Sequence, residues 1–198
     1  NDLLDLAKIE AGKVEIAREA LVCQHLLDEV VASLRPLAEE KGLAFDVEAP
    51  AEPLVVHSDR RALGQILLNL IGNAIKFTER GEVVVSVKIN DEQHRGARVV
   101  LGPSLVFSVR DTGIGIRAED QARLFTEFGR VDSAEVRQRE GTGLGLRLSQ
   151  KLAELLGGSI ALSSDFGTGS VFELHLPVLA PSMAGPADQA SRDQSGLP

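Results

Sequence analysis

Tryptophan and tyrosine are absent from the 198 residues and phenylalanine occurs only 7 times, so any binding site must be built from aliphatic groups, amides, glycine backbone and charges. A single cysteine, Cys23, excludes an internal disulfide framework and a multi-cysteine metal cage, and suits a reducing, cytoplasmic compartment. No apolar run approaches the ~18–20 residues that a membrane-spanning helix needs. Positive charge is in deficit: 21 basic against 29 acidic side chains leave a formal charge of −8. That balance argues against nucleic acid or an anionic membrane as the main partner, because an acidic face is repelled by both. The chain starts Asn1-Asp2-Leu3, with neither an initiator methionine nor a signal peptide, and is expected to be a piece of something longer. What it does have is 43% hydrophobic and 25% charged residues, enough to bury a real core in one domain with appendages.

Residues 1–12 have the pattern of a helix end, with Leu3, Leu4, Leu6, Ala7 and Ile9 apolar and Gly12 as its stop. The main folded domain is expected over 13–180 and a disordered linker over 181–198, where Pro, Ala, Ser, Gly, Asp and Gln leave almost nothing to bury. Within the domain the spacing predicts a short extended stretch at Lys13–Cys23 and a helix over His25–Lys41 that contains Pro36. Strands follow at Leu43–Glu48 and Leu54–His57, then a strong helix over Asp59–Thr78, opened by Ser58 or Asp59 as cap. Further strands are expected at Glu82–Ile89, Arg98–Leu101, Leu105–Arg110, Ser159–Ser163 and Ser170–Leu176, with a helix over Leu146–Leu156. The stretch from Asp111 to Gly145 has no clear period. Together these elements predict an α+β fold: a two-layer sandwich with a mixed, mostly antiparallel sheet covered on one face by helices. The sequence does not decide whether the other face is open or lies against the N-terminal strand.

On the Asp59–Thr78 helix, Leu63, Leu67, Leu70, Ile71 and Ala74 form a core face, while Asn69, Asn73 and Lys76 line up on the other side. A polar stripe is usually a solvated face. Two asparagines are poor choices for that task, being weak helix formers, but amide oxygens can ligate a hard cation such as Mg²⁺, and a lysine one turn on can face phosphates. Next comes Asp111-Thr112-Gly113-Ile114-Gly115-Ile116, directly after a strand. Glycines let backbone approach a ligand, and the aspartate can accept a hydrogen bond from an exocyclic amine; a plain tight turn is the alternative. Gly141-Thr142-Gly143-Leu144-Gly145-Leu146 directly precedes a helix, where backbone N–H groups converge as an anion site. It is neither a Walker loop nor a Rossmann fingerprint. Between them, Phe125 and Phe128 are either core residues or anchors of a mobile lid over Arg130–Glu140.

In order and spacing, these four segments resemble the N, G1, F and G2 boxes of the histidine-kinase catalytic domain, of the superfamily that also holds gyrase, Hsp90 and MutL. The resemblance runs from Asn1 to about Pro177 and implies the Bergerat-type ATP-binding fold, with Asn1–Lys13 similar to the end of the second dimerisation helix. It implies ATP and Mg²⁺ as ligands. Asn73 would hold the metal, with Asn69 beside it at the phosphates and Lys76 neutralising their charge. Asp111 would read the adenine amine, Gly113 and Gly115 would give the base room, and Thr142, Gly143, Leu144 and Gly145 would wrap the phosphates. Phe77, Ile116, Phe125, Phe128 and Leu146 join the nucleotide cleft by the same resemblance. Asn69, Lys76 and Arg130 would share the catalytic part, Arg130 as the lid arginine that stabilises charge on the γ-phosphoryl. Gly129 stands where many relatives carry an aromatic.

The hydrolysing branches place a glutamate one turn before the metal-binding asparagine; here that position is Asn69, without useful basicity. Such a site should keep its γ-phosphoryl for an incoming nucleophile instead of water. In the family this is a histidine followed by an acid and, a few residues on, a proline. His25, His57, His94 and His175 do not fit that pattern. The resemblance therefore implies a catalytic and ATP-binding fragment that acts on separate dimerisation helices, in a homodimeric parent, and relays phosphate to a response-regulator receiver domain. The parent is expected to place this part in the cytoplasm, with any membrane anchor upstream, and the Pro/Ser-rich tail would suit a hybrid kinase. A serine kinase of the anti-sigma type and a non-catalytic nucleotide- or partner-binding module of the same fold are the alternatives.

Overall fold

The computed structural model describes residues 2–90, 103–121, 123–125 and 143–178. Of the expectations above, Phe128, Thr142, the lid segment Arg130–Glu140, the strand Arg98–Leu101 and the tail Pro181–Pro198 lie outside the described residues.

The chain opens with helix α1 (Asp2–Glu10), which ends where Gly12 takes the left-handed backbone (φ 64°) that glycine adopts without penalty. Leu6 is its buried residue, Leu3 and Leu4 are exposed, and the helix packs against the later helix α5 (Gly145–Leu155). A linker leads to β1 (Glu19–Val22), which pairs antiparallel with β3 (Val55–Ser58) in a separate two-stranded sheet. The N-terminal strand thus lies beside β3 instead of on the far face of the main sheet. Helix α2 (Cys23–Glu40) includes Pro36. The Cys23 thiol is fully buried, and burial pushes its pKa up to about 11, so it stays protonated at neutral pH.

β2 (Ala44–Glu48) and β3 precede helix α3 (Arg60–Phe77). The apolar positions of α3 recur every three to four residues, and Leu63, Ile66, Leu67, Leu70 and Ile71 are 0% exposed. Burying each such side chain contributes roughly 1.5–3 kcal/mol, which is why this helix anchors the core. Asp59, not Ser58, is its cap: one carboxylate oxygen accepts the Ala62 N–H (2.9 Å) and the other accepts the Ala17 N–H of the linker (2.9 Å). At the far end, Lys41 Nζ donates to the carbonyls of Ile75 (2.7 Å), Lys76 (2.9 Å) and Thr78 (3.1 Å). A cation at a helix C-terminus satisfies orphan carbonyls and complements the helix dipole.

β4 (Glu82–Asn90), β5 (Ser104–Asp111), a one-turn helix α4 (Ala118–Gln121), α5, β6 (Ser159–Asp165) and β7 (Gly169–Pro177) complete the described chain. The main sheet has the order β2-β4-β5-β7-β6, with only the β2–β4 pair parallel. Helices α2, α3 and α5 cover one face, against Val83, Val85, Phe107, Val109, Phe172 and Leu174. The fold is therefore the two-layer, mostly antiparallel sandwich expected. Among the described residues no helix is long and apolar enough to cross a membrane.

Candidate functional site

Two structural facts converge on one end of the sheet. β5 is its middle strand, and the last residue, Asp111, pairs with Val83 on one side and Ser170 on the other. With strands on both sides, the Asp111 carboxylate is shielded and only 6% exposed, whereas Arg110 beside it on the same strand is exposed. Burial pushes its pKa up; hydrogen bonds from the backbone N–H groups of Gly113 (2.8 Å to Oδ1) and Ser170 pull the other way without overcoming it.

The loop after Asp111 is held on three sides. Ile114 N–H donates to the carbonyl of Phe77, the last residue of α3 (3.3 Å), and Gly167 N–H donates to Ile114 O (2.8 Å). Ile116 N–H donates to Ser164 Oγ (2.8 Å), whose hydroxyl reaches Gly169 O (2.9 Å) and lies 3.0 Å from Ser170 Oγ. Gln121 Nε2, on α4, bridges Ile116 O (3.0 Å) and Ser164 O (2.8 Å). The glycines are needed for close approach: a Cβ on Gly113 would stand 2.5 Å from Phe77 O, and one on Gly115 (φ 64°) 2.0 Å from Asp165 O.

Asn69, Asn73 and Lys76 are half-buried on α3, off its leucine stripe. Asn69 Nδ2 donates to Ser149 Oγ on α5 (2.8 Å), and Asn73 Nδ2 lies 3.4 Å from Asn69 Oδ1. The Lys76 ammonium sits 5.1 Å from the ring centre of Phe77. Gly145 packs directly on Asn69, since a Cβ there would fall 2.4 Å from Oδ1. So the amide pair of α3 and the start of α5 form one corner. Gly143 there is left-handed (φ 72°), and Leu144, the cap residue, provides no side-chain cap, in contrast to Asp59 on α3. A helix start built of glycine and leucine brings backbone N–H groups to this corner without a capping side chain of its own. Ile116, Phe125 and Leu146 are half-buried against the core.

The structure thus brings Asn69, Asn73, Gly143, Leu144 and Gly145 together, and joins Phe77 to Gly113 and Ile114 at the Asp111 end. Ser149, Ser164, Ser170, Gln121 and Lys41 were not singled out from the sequence. Ser149 did leave a signal, as a hydroxyl beside Leu148 and before Leu152 and Ala153 on the buried side of an amphipathic helix. Among the described residues no group of three or more His, Cys, Asp or Glu could hold a metal ion, so a cation here would depend on amide oxygens and on a ligand's own. A cavity of about 380 Å³ lies elsewhere, between α1, the linker and the first turns of α3, lined by Asp5, Ile9, Lys13, Asp59, Gln65 and Leu148 among others.

Residues 58–180 match the family model described as histidine kinase-, DNA gyrase B- and HSP90-like ATPase. The chain is 37% identical over 183 residues to hybrid signal transduction histidine kinase B of Dictyostelium discoideum, covering 92% of this chain and 9% of that protein. It is 38% identical over 177 residues to the signal transduction histidine-protein kinase BarA of Escherichia coli K12, covering 89% and 19%. It therefore spans only about a tenth to a quarter of the length of the curated relatives it matches. Among solved structures, full-length ShkA in complex with AMPPNP superposes with a TM-score of 0.75 at 32% identity, over 89% of this chain and 34% of that one. The nucleotide-free catalytic domain of histidine kinase ThkA gives 0.66 at 26% identity, over 82% and 96%.

Proposed function

Because the chain belongs to the histidine kinase-, DNA gyrase B- and HSP90-like ATPase family, we propose that it is the ATP-binding catalytic part of a two-component sensor histidine kinase. It holds Mg-ATP and transfers the γ-phosphoryl to a histidine on dimerisation helices, for relay to an aspartate in a response-regulator receiver domain. The observation that carries this reading is Asn69. One turn before Asn73, where a hydrolase needs a carboxylate to activate water, stands an amide engaged with Ser149 and Asn73. It cannot take a proton, so the γ-phosphoryl waits for a nucleophile brought from outside.

Each residue then has a task. Asp111 accepts the adenine amine, and Gly113 and Gly115 keep side chains away from the base. Phe77, Ile116, Phe125 and Leu146 supply the apolar surround. Lys76 offsets phosphate charge, and the turn Gly143-Leu144-Gly145, with Thr142, meets the phosphates with backbone N–H groups. Phe128 and Arg130 belong to the lid by resemblance, Arg130 stabilising the transferring group. Magnesium fits this donor set: Asn73 offers a hard oxygen, and the phosphates and water complete the shell. When bound, the ion neutralises charge on the phosphoryl oxygens.

The test uses this chain with γ-labelled ATP, Mg²⁺ and a separately supplied dimerisation domain carrying the acceptor histidine. Label is expected on the supplied domain only, and it should be acid-labile. Acid-stable label would favour the serine-kinase branch. Binding without any transfer would favour a module that holds nucleotide passively, and no ATP binding at all would remove the reading.

A further inference from the structure

We propose that Ser149 is a positioning residue: it sets the orientation of the Asn69 and Asn73 amides, so that the Asn73 carbonyl oxygen is the end presented to the magnesium ion of a bound nucleotide. The inference rests on the proposed function and concerns a residue that the motif resemblance does not assign.

A carboxamide has an accepting end and a donating end of nearly equal size, and which end faces which way follows from its hydrogen-bond partners. Ser149 is 1% exposed, the only buried polar side chain on α5 among the described residues. Its oxygen takes the Asn69 Nδ2 hydrogen at 2.8 Å. With the NH₂ end of Asn69 fixed on Ser149, Oδ1 must be the end that faces Asn73. That oxygen attracts the Asn73 Nδ2, found at 3.4 Å. Asn73 Oδ1 is left on the other side, and among the described residues no hydrogen bond reaches it. The Gly145 backbone packs on the Asn69 amide, with a Cβ position only 2.4 Å from Oδ1, so the amide cannot escape by swinging towards α5.

The order of donors and acceptors is a chain: Asn73 to Asn69 to Ser149. Remove the last acceptor and both amides can turn over together, which keeps their mutual hydrogen bond but presents an NH₂ group to a cation. An NH₂ group carries positive hydrogens and repels the ion. Metal binding then has to reverse the flip first, and the apparent affinity falls by the fraction of molecules that are correctly oriented.

The experiment measures ATP affinity of the whole chain by calorimetry, once in excess Mg²⁺ and once in EDTA, with melting temperature as a check on folding. In Ser149→Ala the gain in affinity brought by Mg²⁺ is expected to shrink about five- to tenfold, the scale of one lost hydrogen bond. Affinity in EDTA, set at the Asp111 end, should stay within about twofold of wild type. Ser149→Cys preserves volume but accepts poorly and should behave like Ala, whereas Ser149→Thr keeps the hydroxyl and should restore the gain. In an Asn69→Ala background, Ser149→Ala should have no further effect. An unchanged Mg²⁺ gain in both Ala and Cys variants would overturn the inference. So would an equal loss with and without the metal, or the same loss when Asn69 is already alanine. Wild-type protein that binds no ATP under either condition would instead remove the proposed function, and this inference with it.

Discussion

Replacing Asp111 with asparagine should weaken ATP binding about 10- to 100-fold while the protein stays folded, the range expected for losing a hydrogen bond to a charged group. The carboxylate has two accepting oxygens. Backbone N–H groups of Gly113 and Ser170 already use part of that capacity, and the adenine amine would use the rest. An amide has one oxygen, so any orientation sets its NH₂ against an N–H donor or against the amine. Removal of a buried charge compensates in the empty protein. Because burial raises the pKa of Asp111, ionising it opposes folding, and its contribution to stability declines as pH climbs from the ordinary carboxylate range through the raised value. In the variant that pH dependence should vanish. Nucleotide binding has the opposite sign: it needs the carboxylate, so wild-type affinity should fall on acidification at a higher pH than an unshifted aspartate would give. Calorimetric titration of wild type and Asp111→Asn between pH 4 and 8 reads both. Equal affinity in the two proteins would remove Asp111 from the site.

The second large effect is at Gly115. Gly115→Ala is expected to destabilise the protein by about 3–5 kcal/mol, a large share of the roughly 5–15 kcal/mol by which domains are stable. A left-handed backbone accounts for about 1–2 kcal/mol of this. The remainder comes from a Cβ that would stand 2.0 Å from the Asp165 carbonyl, a backbone atom that no rotamer change can move. Relief requires the loop to lift, which breaks the Gly167-to-Ile114 and Ile116-to-Ser164 hydrogen bonds. Gly12→Ala is the matched control: φ is 64° there as well, but nothing lies within 4 Å, so only about 1–2 kcal/mol should be lost. Urea unfolding of both variants checks this, and equal losses would show that the crowding at Gly115 has no energetic weight.

Most of the fold and the outline of the candidate site were legible locally. α3 could be read to within a residue or two because its apolar period is long and Asp59 is a strong cap. Asp111 and its glycines could be found because a carboxylate followed by alternating glycines at a strand end is a rare local pattern. What stayed hidden depends on partners far away in sequence. That Lys41 caps α3 follows from how α2 lies along it, not from any pattern near residue 41. The serines that hold the loop and the Asn69 amide look like ordinary polar residues until β6, β7 and α5 are placed. α4 is too short for a helical period to stand out from the charged sequence around it. The pairing of β1 with β3 and the parallel pairing of β2 with β4 are choices among strands, which alternation alone cannot make.

That parallel pair also imposes a timetable. The β6–β7 hairpin closes over the short turn Phe166–Thr168, whereas β2 can meet β4 only after the chain has run through β3 and the whole of α3. Longer closures lose more entropy and form more slowly, so Ala44–Glu48 should be among the last amides protected in pulse-labelled refolding; early protection there would refute this. The helix that carries Asn69 and Asn73 is enclosed within that late closure. A nascent or half-refolded molecule would accordingly have its hairpins before it had anywhere to receive a nucleotide.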